Sequence, residues 1–452
     1  MRHRQAAIVS AAQAEAYLNG LINLERQPEF SMERLGLEPI RALLERVGHP
    51  ERGLSILHVA GSKGKGSTAL FLESILEAIG ERVGTFTSPH LERWTERFRI
   101  AGHEVPGAAL AASIERLRPH IDELRASPGA PVPTFFDATT AAALLLFSEA
   151  GVDRTVLEVG LGGRLDSTNA VSPAATCITS IELEHTDKLG HSLAAIAAEK
   201  AGILKPGVPC VIGSLPAEAR QVVRARAEAL AVPLFECGVD FSVEVESGAA
   251  PSAGVKIRYR EADGFEVEAS LQTLGLHQAE NAALAVALIR RLAVHPEDAL
   301  VSASQKGLAG AWLPGRVELL ERRPWIVVDS AHTGASARAL ARALSGIPAQ
   351  RTHFVLSVSA GKDLGAILAA LLPQASSLTI TRAEPQRSLD PSQIAHTVRA
   401  ADASLLVRVI PDPHLAVRAA RARLGEADLL CVAGSVYLAG IARRVLGSGA
   451  AA

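Results

Sequence analysis

The chain has 452 residues, enough for about two to three domains whose cores need no disulfide or structural metal. Apolar residues make up 48% and charged residues 21%, which excludes a disordered or fibrous chain. The 46 basic and 48 acidic residues leave a net charge of −2, so no basic excess points to nucleic acid or an anionic membrane, and 4% aromatics argue against a stacking platform. Cys177, Cys210, Cys237 and Cys431 form no CxxC pair, which fits a reducing cytoplasm. No apolar run reaches the ~18 residues of a membrane span. Gln13 and Glu15 interrupt the Ala-rich stretch behind Arg2 and Arg4, so no secretion signal is expected.

The first fifty residues read as helical and peripheral. Leu54–Ala60 then reads as a buried strand, and Gly61–Ser67 as a glycine-rich turn. Leu72, Ile75, Leu76 and Ile79 follow helical spacing, with Gly80 suited to the helix end. Strands are expected at Val83–Phe86, Thr155–Val159, Ala175–Ile181 and Val208–Ile212, and an apolar helix at Thr139–Phe147. This alternation implies βαβ units and a mainly parallel sheet. Phe241–Val245, Val255–Tyr259 and Phe265–Ala269 read as a small antiparallel subsheet, followed by a helix at about Ala279–Leu292. Leu313-Pro314-Gly315 is turn chemistry. After it come strands at Trp325–Asp329, His353–Val358, Leu378–Thr381, Leu405–Ile410 and Leu429–Val432. The expected fold is α/β in two domains: residues 1–312, a linker at 313–318, and a smaller Rossmann-like domain at 319–452.

The strongest local signal is Gly61-Ser62-Lys63-Gly64-Lys65-Gly66-Ser67-Thr68, between a strand and a helix. Glycines there let backbone N–H groups turn toward phosphate oxygens, and the helix adds its positive end. Lys65 can reach the β/γ-phosphates, and Ser67 or Thr68 could serve Mg²⁺. The spacing departs from GxxxxGK[ST], because two residues rather than four separate Gly61 from Gly64-Lys65. An ordinary glycine-rich turn remains the alternative for the loop alone.

Ser88, Glu158 and His185 each lie at or just past the carboxyl end of an expected parallel strand, the edge where open α/β sheets bind ligands. A hydroxyl, a carboxylate and an imidazole suit a nucleotide-bound Mg²⁺. Taken singly, Ser88 reads as a turn cap and His185 as a surface residue. Glu158 lies in an apolar run and needs a cation or hydrogen bonds. Lys200 ends a helix, where a solvated lysine would also be favourable. Arg316 could touch a γ-phosphate and Asp329 could accept ribose hydroxyls. A linker turn and a strand cap are the alternatives.

Together these residues resemble the folylpolyglutamate synthase/dihydrofolate synthase family of the Mur ligase superfamily. The resemblance is carried in order by LGLE (35–38), HVAGSKGKGST (58–68), TSPHL (87–91), LEVGLGGRLDSTN (157–169), TSIELEHTDKLG (179–190), EKAGI (199–203), Asn281 in HQAENAALA, PGR (314–316), DSAH (329–332) and AGSVYL (433–438). It implies a Mur-ligase-like ATP-binding domain and a glutamate-ligase domain. Gly61, Ser62, Lys63, Gly64, Lys65, Gly66 and Ser67 would bind the ATP phosphates. Ser88, Glu158 and His185 would bind Mg²⁺, and a carbamate on Lys200 would support a second Mg²⁺. Asn281, Arg316 and Asp329 would contact ATP, and His332 and Ser435 the glutamate side. Leu35, Gly36, Leu37 and Glu38, Phe136, Asp137, Ala138 and Thr139, and Leu165, Asp166 and Ser167 match stretches near the pterin substrate.

The chain departs from the family pattern in places. Lys63 stands where many bacterial relatives have Asn, Glu184 where Asp is usual, Thr333 where Asn is usual, and Pro39 where Arg often follows. Phe136-Asp137-Ala138 differs from the commoner Phe-Glu version. The implied activity is ATP-dependent ligation of L-glutamate to dihydropteroate and to tetrahydrofolate γ-carboxylates through an acyl phosphate, with Lys65, Lys200, His185, Arg316 and His332 as the catalytic set. A cytoplasmic monomer with no nucleic-acid or membrane partner is expected. The alternatives are a folylpolyglutamate synthase alone, a peptidoglycan Mur ligase, an ATP-driven binding module and an inactive paralogue.

Overall fold

The computed structural model of the protein describes residues 7–23, 36–246 and 254–447. Leu35, and with it the start of the LGLE stretch, lies outside the described residues. The chain divides into two compact units. One runs to Glu244 and adds Arg258–Ala269 and Glu280–Ala311; the other comprises Val245–Ile257, Ser270–Ala279 and the chain from Trp312 onward. Residues 313–318, expected as a linker, fall within the second unit, where Val317 is buried and Glu318 already opens a strand.

The first unit is built on an eight-stranded sheet. Its strands are β1 (Ile56–Ala60), β2 (Val83–Phe86), β3 (Phe98–Ile100), β4 (His103–Glu104), β5 (Arg154–Glu158), β6 (Ala175–Ile178), β7 (Cys210–Ile212) and β8 (Leu234–Glu236), in the order β4-β3-β2-β5-β1-β6-β7-β8. Strands β2, β5, β1, β6, β7 and β8 are parallel, while β3 and β4 form an antiparallel edge. All five residues of β1 are buried, as expected for a central strand covered on both faces. The helix Phe135–Ala150 is buried almost all round because it packs between the sheet and other helices; Ile56, Phe86 and Leu157 join Leu144 and Phe147 in one core cluster. Enclosing one such leucine contributes about 1.5–3 kcal/mol.

A three-stranded sheet, order β11-β10-β9, follows: β9 is Phe241–Val245, β10 Val255–Glu261 and β11 Glu266–Leu271. The second unit has a six-stranded sheet of β12 (Glu318–Arg322), β13 (Trp325–Val328), β14 (Thr352–Leu356), β15 (Ser377–Ile380), β16 (Leu406–Val409) and β17 (Leu429–Ala433). Its order is β12-β13-β17-β14-β15-β16, parallel except for the β12–β13 hairpin. Among the described residues no helix is long and apolar enough to cross a membrane.

The topology decides where the chemistry can lie. β2, β5, β1 and β6 are consecutive neighbours in the first sheet. Their carboxyl ends release the Ser88 turn, Glu158, the Gly61 loop and the Thr179–His185 segment side by side. In the second sheet β13 and β17 are neighbours, so Asp329–His332 and Ser435 emerge together.

Candidate active site

The turn after β1 is short, and the helix Lys65–Ala78 already starts at Lys65, with Gly64 as its N-cap. Gly64 has φ +86, and a Cβ there would sit 2.2 Å from Asn281 Oδ1. Gly61 has φ +148, and a Cβ there would sit 1.9 Å from Thr179 Oγ1. Both positions therefore demand glycine. The loop is tied to the segment after β6: Ser62 N donates to Ser180 O (2.8 Å), Lys63 N to Ser180 Oγ (2.8 Å) and Glu182 N to Ser62 Oγ (2.9 Å). Asn281 is buried against the loop, on the helix Gln278–Arg290. Gly66 and Ser67 belong to the first helical turn rather than to the loop. Thr68 and Ser67 are both buried.

Three lysines converge here. Lys65 Nζ donates to Gly61 O at 3.0 Å, and Lys200 Nζ donates to the same carbonyl at 2.8 Å. Lys200 Nζ also meets Glu184 Oε1 at 3.1 Å, and Lys63 Nζ meets Glu184 Oε2 at 3.4 Å. Burial alone would raise the Glu184 carboxyl, but Lys200, Lys65, Lys63 and His185 outweigh it and bring it down to about 2. Lys200 is 1% exposed, and burial lowers its ammonium to about 8 against the pull of Glu184. One carboxylate facing three ammonium groups leaves a positive surplus suited to a polyanion.

Glu158 closes β5, is buried, and accepts a hydrogen bond from Ser88 N at 2.9 Å through Oε2. A Cβ on Gly66 would lie 3.3 Å from the same oxygen, so Ser88, Glu158 and the first turn of the helix Lys65–Ala78 share one corner. A buried carboxylate beside a hydroxyl residue fits a hard divalent cation. His185 is exposed, in the left-handed region at φ 46, just before the short helix Thr186–Leu189. Its neighbour Glu184 carries this segment to the loop through Lys63 and Lys200.

Within the second unit, Asp329 Oδ2 accepts from Val317 N (2.6 Å) and Oδ1 from Ala331 N (2.7 Å). Burial raises its carboxyl to about 6 against these bonds and Arg316. Arg316 Nη1 donates to Ser330 Oγ at 2.8 Å, and Thr273 Oγ1 donates to Arg316 O at 3.2 Å. His332 Nδ1 bonds Ser330 O at 2.9 Å, which puts a proton on Nδ1. Ser435, 3% exposed, precedes the helix Val436–Gly447, and its Oγ accepts from Tyr437 N.

The expected pterin-side residues divide into two groups. Gly36 and Leu37 are half-buried, and Glu38 is exposed at the start of the helix Glu38–Arg46. Phe136 is half-buried over Gly160, where a Cβ would come 2.5 Å from its ring, and Leu165 is half-buried as well. Asp137 caps its helix: Oδ2 accepts from Thr134 N (2.8 Å) and Thr134 Oγ1 (2.7 Å), and Oδ1 from Ser167 Oγ (2.6 Å). Ala138 and Thr139 are fully enclosed. Asp166 Oδ2 accepts from Leu161 N at 2.8 Å, and burial raises its carboxyl to about 6.

Residues 59–289 match the Mur ligase middle domain, and residues 315–436 match the Mur ligase glutamate ligase domain. A dihydrofolate synthase/folylpolyglutamate synthase of Mycobacterium tuberculosis is 32% identical over 477 residues, covering 97% of this chain and 94% of that one. The chain belongs to this family of Mur ligases. A probable bifunctional folylpolyglutamate synthase/dihydropteroate synthase of Haloferax volcanii is 37% identical over 409 residues, covering 90% of this chain, which spans about half (48%) of that relative's length. A solved bifunctional folylpolyglutamate synthase/dihydrofolate synthase of Yersinia pestis, complexed with AMPPNP and a Mn ion, superposes with a TM-score of 0.82. It is 30% identical and covers 98% of this chain and 100% of that one.

In this Mur ligase, several supporting residues escaped the sequence reading. Glu184 was noted only as a replacement for Asp, and no sequence signal showed that it would join Lys63 to Lys200. Thr179 and Ser180 hold Lys63 O through their hydroxyls, a role visible only once β6 lies beside β1.

Proposed function

We propose that the protein is an ATP-dependent, ADP-forming ligase that joins L-glutamate to dihydropteroate and to the γ-carboxylate of a tetrahydrofolate. The observation that carries this reading is the gathering of Lys63, Lys65 and Lys200 on Gly61 O and Glu184 at the sheet edge. The relatives' glutamate-ligase and folate names support the substrate side.

A carboxylate is a poor acyl donor. Phosphorylation by ATP gives an acyl phosphate, whose carbonyl the glutamate amine attacks, and a tetrahedral intermediate then expels phosphate. Lys65, released from Gly61 O, would carry charge on the transferring phosphoryl group, and the backbone N–H groups of Gly61–Lys65 would cradle the phosphates. Ser88, Glu158 and His185 would hold Mg²⁺, with a carbamate on Lys200 serving a second ion. When bound, Mg²⁺ neutralises charge on the phosphate oxygens. Asn281 and Asp329 would hold ATP, and Arg316 would contact its γ-phosphate during transfer. His332 and Ser435 would hold glutamate, and Phe136, Leu165 and Asp166 the pterin side.

Arg316→Ala is expected to lower kcat by about a hundredfold or more while ATP affinity changes by less than about threefold. Steady-state kinetics beside calorimetric ATP titration measures the split. Weaker ATP binding with unchanged kcat would make Arg316 a ground-state contact instead.

The substrate reading is tested by phosphate release with ATP, Mg²⁺ and L-glutamate, run separately with dihydropteroate, tetrahydrofolate and a peptidoglycan precursor. Turnover is expected with the first two. Turnover with tetrahydrofolate alone would reduce the enzyme to a folylpolyglutamate synthase. Turnover with the precursor alone would overturn the folate assignment.

A further inference from the structure

His58 lies in the middle of β1 and is fully enclosed. Its Nε2 lies 2.8 Å from Thr168 Oγ1, and its Nδ1 is buried with no hydrogen-bond partner. Burying an imidazole costs stability unless its nitrogens are hydrogen-bonded, and here only Nε2 is. What it reaches is the loop after β5. Thr168 Oγ1 lies 2.5 Å from Asp166 Oδ1, and Thr168 N donates to that same oxygen at 3.0 Å. Asp166 is 6% exposed, and its other oxygen accepts from Leu161 N.

The proton count fixes the direction of this chain. Ionised Asp166 only accepts, so Thr168 must give it the single hydroxyl proton. Thr168 Oγ1 then accepts from His58, which carries its proton on Nε2. The unpartnered Nδ1 is in that case a bare lone pair. The opposite arrangement would bury an unpartnered N–H donor, which structures tolerate less well than an under-used acceptor. Burial, with Lys205 adding to it, lowers the imidazolium to about 3, so the ring stays neutral. A neutral ring can hold this tautomer across the working pH range.

We propose that His58 is a positioning residue: through Thr168 it orients the Asp166 carboxylate toward the folate-side substrate. This rests on the reading above that Asp166 faces that substrate. Fully enclosed, His58 would touch neither substrate nor nucleotide. Its effect passes along two hydrogen bonds, His58 Nε2–H to Thr168 Oγ1 and Thr168 Oγ1–H to Asp166 Oδ1.

The test compares His58→Leu, His58→Gln, Thr168→Val and the His58→Leu/Thr168→Val double variant. Gln can place an amide N–H near the position of Nε2. His58→Leu and Thr168→Val should each raise the KM for the folate acid about tenfold, leaving the KM for ATP and for glutamate within about twofold. The double variant should be no worse than either single one, because both cut the same chain. His58→Gln should recover most of the loss. Equal rises in all three KM values, or an unchanged folate KM, would overturn the proposal. A readout independent of turnover is the ¹⁵N spectrum of histidine-labelled protein, with the His58 signal identified by its loss in His58→Gln. It should show Nε2 protonated and Nδ1 bare, and should shift in Thr168→Val. A proton on Nδ1 would reverse the chain and overturn the proposal. If wild-type protein turned over no folate acid, the functional reading would fail while the spectrum still decided the His58 tautomer.

Discussion

Replacing Lys65 by alanine is expected to cut ATP-dependent turnover by at least about a hundredfold, the scale of losing a charged donor aimed at developing negative charge. The change should leave the fold intact. Lys65 is half-exposed at the first position of its helix, and its side chain donates to Gly61 O, a bond that must open for the amine to reach a phosphate. Alanine keeps helix propensity at that position, and the glycines that shape the turn are untouched. The melting temperature should therefore stay within about 2 °C of wild type, while phosphate release collapses. Lys65→Arg separates charge from shape: it keeps the cation but delivers a planar fork where a point charge is needed, so partial activity is expected. Near-wild-type turnover in Lys65→Ala would remove the phosphate-loop reading.

The legibility of this loop in the sequence has a physical cause, and so does its limit. A run of glycines between a buried strand and an amphipathic helix is a local signal, since the φ values of Gly61 and Gly64 are requirements of the turn itself. Ser88 and Glu158 were readable for a similar reason, because strand ends are marked by where apolar runs stop. The elements that went unread lack such marks. β3 and β4 have three and two residues, too few for any period to appear. β12 is partly exposed along nearly its whole length and shows no alternation. β8, Leu234–Glu236, is a three-residue strand. Residues 313–318 read as a linker from turn chemistry alone, yet Val317 N is claimed by Asp329, a pairing set by the β12–β13 hairpin. Ala138 and Thr139 were expected beside the substrate from the resemblance alone, and both are fully enclosed on a helix buried almost all round. Long-range polar pairs are the least readable of all. His58 and Thr168 are 110 residues apart, and only the parallel pairing of β1 with β5 brings their segments together.

Lys200→Ala is expected to be inactive, with turnover below about one per cent of wild type, and partly restored by a short carboxylate such as acetate or propionate. The proposed carbamate forms when a neutral amine attacks carbon dioxide and loses a proton. Burial favours that neutral form: it lowers the ammonium to about 8, so far more of Lys200 is uncharged near pH 8 than of an ordinary lysine. Forming the carbamate replaces the positive charge by a negative one, so the ion pair with Glu184 must open. Glu184 then retains Lys63, 3.4 Å from its other oxygen, and is not left buried alone. That second partner also limits the damage in Lys200→Ala, whose stability should fall by about 1–3 kcal/mol rather than the larger cost of stranding a buried charge. Two measurements check the proposal together. Labelled bicarbonate should give a carbamate ¹³C resonance that is absent from Lys200→Ala, and enzyme depleted of carbon dioxide should regain activity on adding bicarbonate, more readily at pH 8 than at pH 7. A fully active enzyme without the resonance would sink the carbamate. Activity in the alanine variant without added carboxylate would remove Lys200 from the catalytic set altogether.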